Sequence, residues 1–350
     1  MTSQSDQSDF DESQDQKNKT DSIEICHTPV FLDFLLNQVI SKQDKWFLDG
    51  TLGEGGHSYH FLKEGLEKGL KGIGFDRDED ILKVASHRLK KFLESGAFST
   101  FCTNFSDAEN ILKEISIHFD LILLDLGISR YHYFQSGRGF SFQKDESLDM
   151  RLCLNDKKSA GFVINKMSEK QLADIFFHYG EMRNSRKLAS VIVKERSKKT
   201  IDTALELADL ILRNSGGKRG KIHPATQIFQ ALRIYVNDEF SHLEKGIKSL
   251  IPFLQKGGRL AIITYHSLED RIVKKTFYQY LKRSENSNKY ADFSRLPPLL
   301  EKSFEGRDFD EKSQADNYFL FSKKVIKPSR DEVISNAAAR SAKLRILVKK

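Results

Sequence analysis

Asp49-Gly50-Thr51-Leu52-Gly53-Glu54-Gly55-Gly56-His57 is the stretch that decides how this chain folds. It follows an apolar segment, Lys45 to Leu48, whose length and composition predict a short strand. Glycines at that place let the backbone turn sharply and approach a ligand that a Cβ would hold off. Twenty-three residues beyond Gly53, Asp76 ends a second predicted strand, Gly72 to Phe75. An acid there can accept hydrogen bonds from both hydroxyls of a ribose. Glycine turns also occur where no ligand binds, so the turn and the spaced acid carry weight together and not singly.

Working outward, the pattern keeps alternating. Val30 to Ile40 reads as a helix, and Asp80 to Phe92 places Ile81, Val84, Ala85 and Leu89 on one helical face. Leu121-Ile122-Leu123-Leu124, flanked by Asp120 and Asp125, has the continuous apolar character of a strand buried on both faces. Strands alternating with helices predict an α/β fold with a parallel sheet. Ligands of such sheets sit outside the carboxyl ends of the strands, so Asp125 is expected to face the same cleft as Gly55, Gly56 and Asp76. A turn or helix-capping acid is the competing reading of Asp125. Phe105 follows a further short strand expected between Phe92 and Asp120, where it would pack on an adenine or serve the core.

Charge separates the candidate cofactors. A dinucleotide sets its pyrophosphate at the helix N-terminus, where a carboxylate would repel it. Here Asp49 and Glu54 flank the glycines. S-Adenosylmethionine carries a sulfonium and an ammonium and no phosphate, so acids beside the loop favour it over NAD. The spacing is also not G-x-G-x-x-G, and no G-x-x-x-x-G-K-[ST] is present for a nucleoside triphosphate.

After about Gln135 the strand rhythm stops for a hundred residues. Leu172, Ile175, Phe176 and Tyr179, then Leu207, Leu210 and Ile211, repeat at helical spacing. Residues 151–236 hold seventeen Lys/Arg against eight Asp/Glu, with a cationic loop at Gly216-Gly217-Lys218-Arg219-Gly220-Lys221. Arg259 to Thr264 then restores the strand signal, and Val325-Ile326 and Leu344 to Val348 read as two further strands. The expected organisation is an acidic disordered tail over 1–22, an α/β domain over 23–135 and 237–350, and a helical insertion over 136–236.

With 350 residues, 39% of them hydrophobic and 30% charged, the chain is long enough for a large core without metal or disulfide staples. Cys26, Cys102 and Cys153 lack metal-ligand spacing, which fits a reducing cytoplasm, and no run of about 18 apolar residues occurs. The net charge of +7 is uneven. Residues 1–21 carry six acids and two lysines, leaving +11 on the remainder, so a polyanionic partner is expected. Arg138, Arg151, Lys218, Arg219, Lys221 and Arg233 are the candidate phosphate contacts, although each alone also suits a solvated surface.

Across these blocks the chain resembles the bacterial small-subunit (16S) ribosomal RNA cytosine-N4 methyltransferases, the RsmH/MraW family. The similarity runs through His27-Thr28-Pro29-Val30, Asp49 to His57, Phe75-Asp76-Arg77-Asp78, Leu124 to Ser129 and Arg138-Gly139-Phe140-Ser141-Phe142. It continues through Leu148-Asp149-Met150-Arg151, Tyr179-Gly180-Glu181, His223-Pro224-Ala225-Thr226, Phe229 to Ile234, His266 to Arg271 and Arg340 to Arg345. The resemblance implies a Rossmann-like class I S-adenosylmethionine-dependent methyltransferase sheet. It implies donor contacts from Gly55, Gly56, His57, Asp76, Phe105 and Asp125, with His132 where glutamine is usual. Arg130, Tyr265 and Ala337-Ala338 also depart from the family pattern.

The implied reaction methylates the exocyclic N4 of one cytidine in 16S ribosomal RNA, in the decoding region of an assembling small subunit. That nitrogen is a poor nucleophile because its lone pair is delocalised, and an acceptor for an N4–H bond would help; Asp125 and Ser129 are the candidates. No metal and no membrane are called for, and the oligomeric state is left open, a dimer being one option. Two other readings remain: a non-catalytic ribosome-assembly binder retaining a cofactor pocket, and a small-molecule or DNA methyltransferase. Ser267-x-x-Asp270 reads as a helix-capping pair and not as part of a hydrolase, since no G-x-S-x-G elbow precedes it.

Overall fold

The computed structural model describes residues 28–215, 223–281 and 317–350. An entry turn, α1 (Leu32–Phe34), runs straight into a π-helical segment, Leu35–Val39. The helix expected over 30–40 is therefore wider-wound than the periodicity suggested, and Leu35 and Val39 are buried along it. Then come β1 (Trp46–Asp49), α2 (Gly56–Gly65), β2 (Lys71–Asp76), α3 (Glu79–Glu94), β3 (Phe98–Cys102), α4 (Glu109–Ile115) and β4 (Phe119–Asp125). Helices α5 (Arg130–Phe134), α6 (Ala160–Lys166), α7 (Glu169–Gly180), α8 (Ser185–Arg196), α9 (Ala204–Asn214), α10 (Thr226–Val236) and α11 (Glu239–Leu250) follow without a strand. The chain closes with β5 (Leu254–Thr264), α12 (Ser267–Gln279), β6 (Tyr318–Leu320), α13 (Arg330–Ser335) and β7 (Lys343–Lys349).

The strands form one sheet in the order β3-β2-β1-β4-β5-β7-β6. The first five are parallel, and β7 and β6 return antiparallel. This is a Rossmann-like α/β sheet, as the alternation of strands and helices predicted. Chain order reverses between β1 and β4, which opens a crevice at their carboxyl ends. Central strand β4 reads Phe-Asp-Leu-Ile-Leu-Leu-Asp and is buried along all but its last residue, as a strand covered on both faces must be. Its side chains alternate between two cores: Ile122 and Leu124 face one, Leu121 and Leu123 the other. At the sheet's far edge the expected Val325-Ile326 strand is a single bridge, Ile326 to Leu344, and the paired edge strand is β6.

The helices between β4 and β5 gather a third core of their own, from Phe140 to Val236. A buried amide, Asn237, clasps the two ends of this segment. Its Nδ2 donates to the Met150 carbonyl at 2.7 Å, and its Oδ1 accepts from the Leu152 amide at 2.8 Å. Gly139 fixes the entry loop in a left-handed conformation, φ +69°, and a Cβ there would stand 2.2 Å from the Ser147 carbonyl oxygen. Gly139→Ala meets both a strained backbone and a rigid obstruction. It should cost at least about 2–3 kcal/mol, read as a lowered denaturant midpoint. Among the described residues no helix is long and apolar enough to cross a membrane.

Candidate active site

Three aspartates end three neighbouring strands: Asp49 on β1, Asp76 on β2 and Asp125 on β4. Parallel register alone brings them to one rim, because Asp49 pairs across to Gly74 and Leu123. A cavity of about 610 Å³, within the range of small-molecule sites, opens there and is lined by Asp76 and Asp125 together with Gly53, Gly56, His57 and Phe105.

Each acid has a distinct setting. Asp49 is 1% exposed, accepts the Ser58 hydroxyl at 2.7 Å and the Thr51 amide at 3.3 Å, and is pushed up by burial to about 6. Asp76 accepts the Gly53 amide at 2.9 Å and the Asp78 amide at 3.0 Å, and burial raises it against those bonds. Those two amides aim the carboxylate into the cavity. Asp125 accepts the Tyr265 hydroxyl at 2.8 Å on Oδ1, while its own amide donates to the Thr51 hydroxyl at 2.6 Å. Its other oxygen lies 3.7 Å from His57 Nδ1, with the side chain 23% exposed toward the cavity. Neither Thr51 nor Tyr265 was singled out by the sequence for this task, since a hydroxyl two residues past a strand carries no spacing signal.

Several expected contacts take other places. Gly55 does not line the cavity. It precedes α2 at φ +76°, and a Cβ there would reach 3.0 Å from Leu89, so it serves the turn and the packing of α2 on α3. Phe105 does line the cavity, with one ring edge against Gly246, where a Cβ would come within 2.3 Å. His132 faces inward but spends both ring nitrogens on the protein: Nδ1 meets the Ser129 hydroxyl at 3.0 Å and Nε2 meets Asp78 at 2.9 Å. Ser129 is thereby held as the cap of α5.

Three of the residues expected to contact RNA are engaged within the protein. Arg138 is 6% exposed, and its guanidinium is taken by Asp78 at 2.6 Å, Asp80 at 2.7 Å and two carbonyls. Arg151 forks onto Asp149 at 2.8 Å through both Nε and Nη2 and turns Nη1 to the Leu154 and Asp156 carbonyls. Arg233 forks onto Glu239 at 2.8 and 2.9 Å at the cavity wall. In each the guanidinium charge is matched by a carboxylate of the protein itself, which ties the side chain in place. Lys218, Arg219 and Lys221 lie outside the described residues. The capping pair expected at Ser267 and Asp270 sits one residue earlier: His266 and Glu269 form the box, Ser267 bonds Glu181 at 2.7 Å, and Asp270 holds Arg345 at 2.6 Å. Glu239, His266 and Glu269 offer ligand atoms close enough to share a cation, but the Arg233 guanidinium already places positive charge between the carboxylates.

Whether these residues suit S-adenosylmethionine can be judged on one unmet group. Arg88, on α3, lines the cavity beside Gly56, and its Nη1 is buried without a hydrogen-bond partner. Burial lowers its pKa, the mark of a guanidinium held away from water. A buried unpaired donor is costly, and a carboxylate such as that of the donor's amino-acid end is the group that satisfies it. Asp76, Arg88, Glu54 and Asp125 all line the cavity, and together they match a ribose, a carboxylate and two cationic centres.

Comparison with known proteins agrees. The model of the MraW methylase family matches residues 24–350. Proteins named ribosomal RNA small subunit methyltransferase H are similar along nearly their whole lengths. That of Dictyoglomus thermophilum is 40% identical over 331 residues, covering 93% of this chain and 97% of its own. That of Treponema denticola is 42% identical over 328 residues, covering 92% and 97%. That of Leptospira interrogans is 44% identical over 309 residues, covering 87% and 81%. The methyl donor is S-adenosylmethionine, as the acids around the glycine turn led one to expect. A reversed-order sheet, a crevice ringed by strand-end aspartates and a match over all but the first residues converge, and the chain belongs to the MraW methylase family.

Proposed function

We propose that this protein methylates the exocyclic N4 of a cytidine in small-subunit ribosomal RNA, acting on the assembling subunit. The relatives' names supply the RNA class. The observation that carries the N4 reading is Asp125: Tyr265 orients one oxygen, and the side chain lines the cavity at the tip of β4. An amino nitrogen needs such an acceptor, because an N4–H bonded to a carboxylate regains electron density for attack. A ring carbon has no N–H to donate to it.

When bound, S-adenosylmethionine supplies an electrophilic methyl carbon whose bond to sulfur breaks as the bond to nitrogen forms, the electron pair staying on sulfur. The protein's part is placement. Asp76 would hold the ribose, Arg88 the carboxylate, Phe105 the face of the adenine and Asp125 the amino group. Fixing nitrogen and methyl carbon in line is worth up to about 7–11 kcal/mol of barrier. The target base must first leave its stack, which costs a few kcal/mol. The RNA grip is assigned to the basic segment over 151–236 as a whole, since Arg138, Arg151 and Arg233 are paired internally.

Incubation with labelled S-adenosylmethionine and unmodified small subunits, naked ribosomal RNA or DNA tests this, with the label placed by nuclease digestion and mass spectrometry. Label on N4 of one small-subunit cytidine is expected. Label on DNA alone, or none anywhere, rejects it and favours a DNA enzyme or a non-catalytic assembly binder respectively. Asp76→Ala is expected to weaken donor binding about 10–100-fold with the fold kept, each charge-assisted bond contributing about 1.5–3 kcal/mol. Unchanged affinity by calorimetry would remove Asp76 from the site.

A further inference from the structure

Cations not already matched by the protein's own acids gather on one helix of the insertion. Helix α8 buries Ser185, Leu188, Ala189 and Ile192 on one side. Its opposite side shows Arg186, Lys187, Ser190 and Lys194, which fall in one exposed stripe at 3.6 residues per turn. Arg183, exposed in the turn just before the helix, extends it. No acid interrupts the stripe: Glu195 lies on its flank and accepts from Lys198 at 3.1 Å. None of the four cations makes an ion pair among the described residues.

Helices on the other side of the molecule treat their lysines differently. Lys83 and Lys90 on α3, Lys113 on α4 and Lys245 on α11 each face a carboxylate. Helix stability does not ask for the α8 stripe either. Arg186 and Lys187 stand in the first turn, where the helix dipole favours acids over cations. The neighbouring α7 and α9 place Glu169 and Glu206 there. Like charges four residues apart on one face repel, and a polyanion laid along them would relieve that cost.

The stripe begins beside the cavity. Glu181, in the turn between α7 and α8, accepts the Ser267 hydroxyl at 2.7 Å and lies 3.5 Å from Arg271. Ser267 follows His266, which lines the cavity. The turn is thus fastened next to the cavity wall, and Arg183 stands two residues beyond it. From Arg186 to Lys194 the stripe runs on for about 12 Å. We propose that this face of α8 is a phosphate track for the ribosomal RNA strand that flanks the target base; this rests on the preceding reading of an RNA substrate. The four cations hold the backbone and give affinity and position, leaving the choice of base to the cavity.

Salt dependence of binding decides it, with naked small-subunit ribosomal RNA as the probe. The fourfold variant Arg183→Gln, Arg186→Gln, Lys187→Gln and Lys194→Gln should bind at least about 10-fold more weakly at near-physiological salt. The slope of log affinity against log salt should flatten by about 3, and each single change should remove about 0.7. Affinity for S-adenosylmethionine by calorimetry should stay within a factor of about two, which also checks the fold. A second fourfold variant, Lys83→Gln, Lys90→Gln, Lys113→Gln and Lys245→Gln, loses the same charge elsewhere and should keep the wild-type slope. An unchanged slope in the first variant, or equal flattening in both, overturns the proposal. Loss of binding to anionic lipid vesicles with RNA binding intact makes the stripe a membrane contact and overturns it too. If the wild type labels no ribosomal RNA, the substrate reading falls, while the slopes still decide whether this face holds phosphates.

Discussion

Asp125→Asn is expected to lower kcat by about 10²–10⁴-fold, the usual contribution of a positioned acid–base group, while the protein remains folded. Asparagine keeps the shape and can still receive the Tyr265 hydroxyl on its oxygen, which now lies 2.8 Å away from the carboxylate. What it loses is the charge that makes N4 nucleophilic and the capacity to receive its proton. The measurement is single-turnover transfer to small subunits, with donor affinity measured in parallel. A variant that retains wild-type turnover would mean that the acceptor for N4–H is another group of this loop. A variant that loses donor binding alone would make Asp125 a donor contact, as the family resemblance also allows.

Arg138→Ala should produce the largest loss of stability. It leaves the Asp78 carboxylate, itself 2% exposed, without its guanidinium, and breaking a buried ion pair in this way costs about 3–5 kcal/mol. Arg138→Lys should recover only part, since an ammonium cannot span Asp78 and Asp80 as the planar fork does. The acid dependence has a defined sign. Burial pushes Asp78 up, but the bonds from His132 and Arg138 outweigh it and hold the carboxyl at about 2. Its contribution is therefore complete above the unfolded value of about 3.9 and is lost as pH falls through the folded one. Urea titrations should show the gap between wild type and Arg138→Ala narrowing as pH drops from about 4 toward 2. A gap that is constant across that window would assign the effect to packing.

The parallel sheet and its crevice were legible because both are written in local patterns. The Leu121–Leu124 run, the glycine turn and the acid at position 76 each predict a placement that follows from strand register alone. The acids flanking the glycines pointed to the donor, and family resemblance added the RNA target, which no spacing could give. The partners of the arginines were not legible, for a physical reason. Composition counts charge but not its partner, and the acids that take up Arg138 and Arg233 are Asp78, Asp80 and Glu239, brought together only by the fold. His132 shows the same limit, because its two nitrogens are committed to Ser129 and Asp78 across 54 residues of chain. Arg88 went unnoticed since nothing in a helix sequence marks a guanidinium that will lack a partner.

The Asn237 amide has a consequence for how such a chain tolerates its long excursion. Residues 152 and 237, 85 positions apart, meet at hydrogen-bond distance, so the helical segment leaves the sheet and rejoins it through one doorway. Closing a loop costs entropy that grows only with the logarithm of its length. The sheet therefore feels nearly the same penalty whether the detour is eighty residues or half that, and growth or shrinkage of the helical part leaves the aspartate-tipped strands undisturbed.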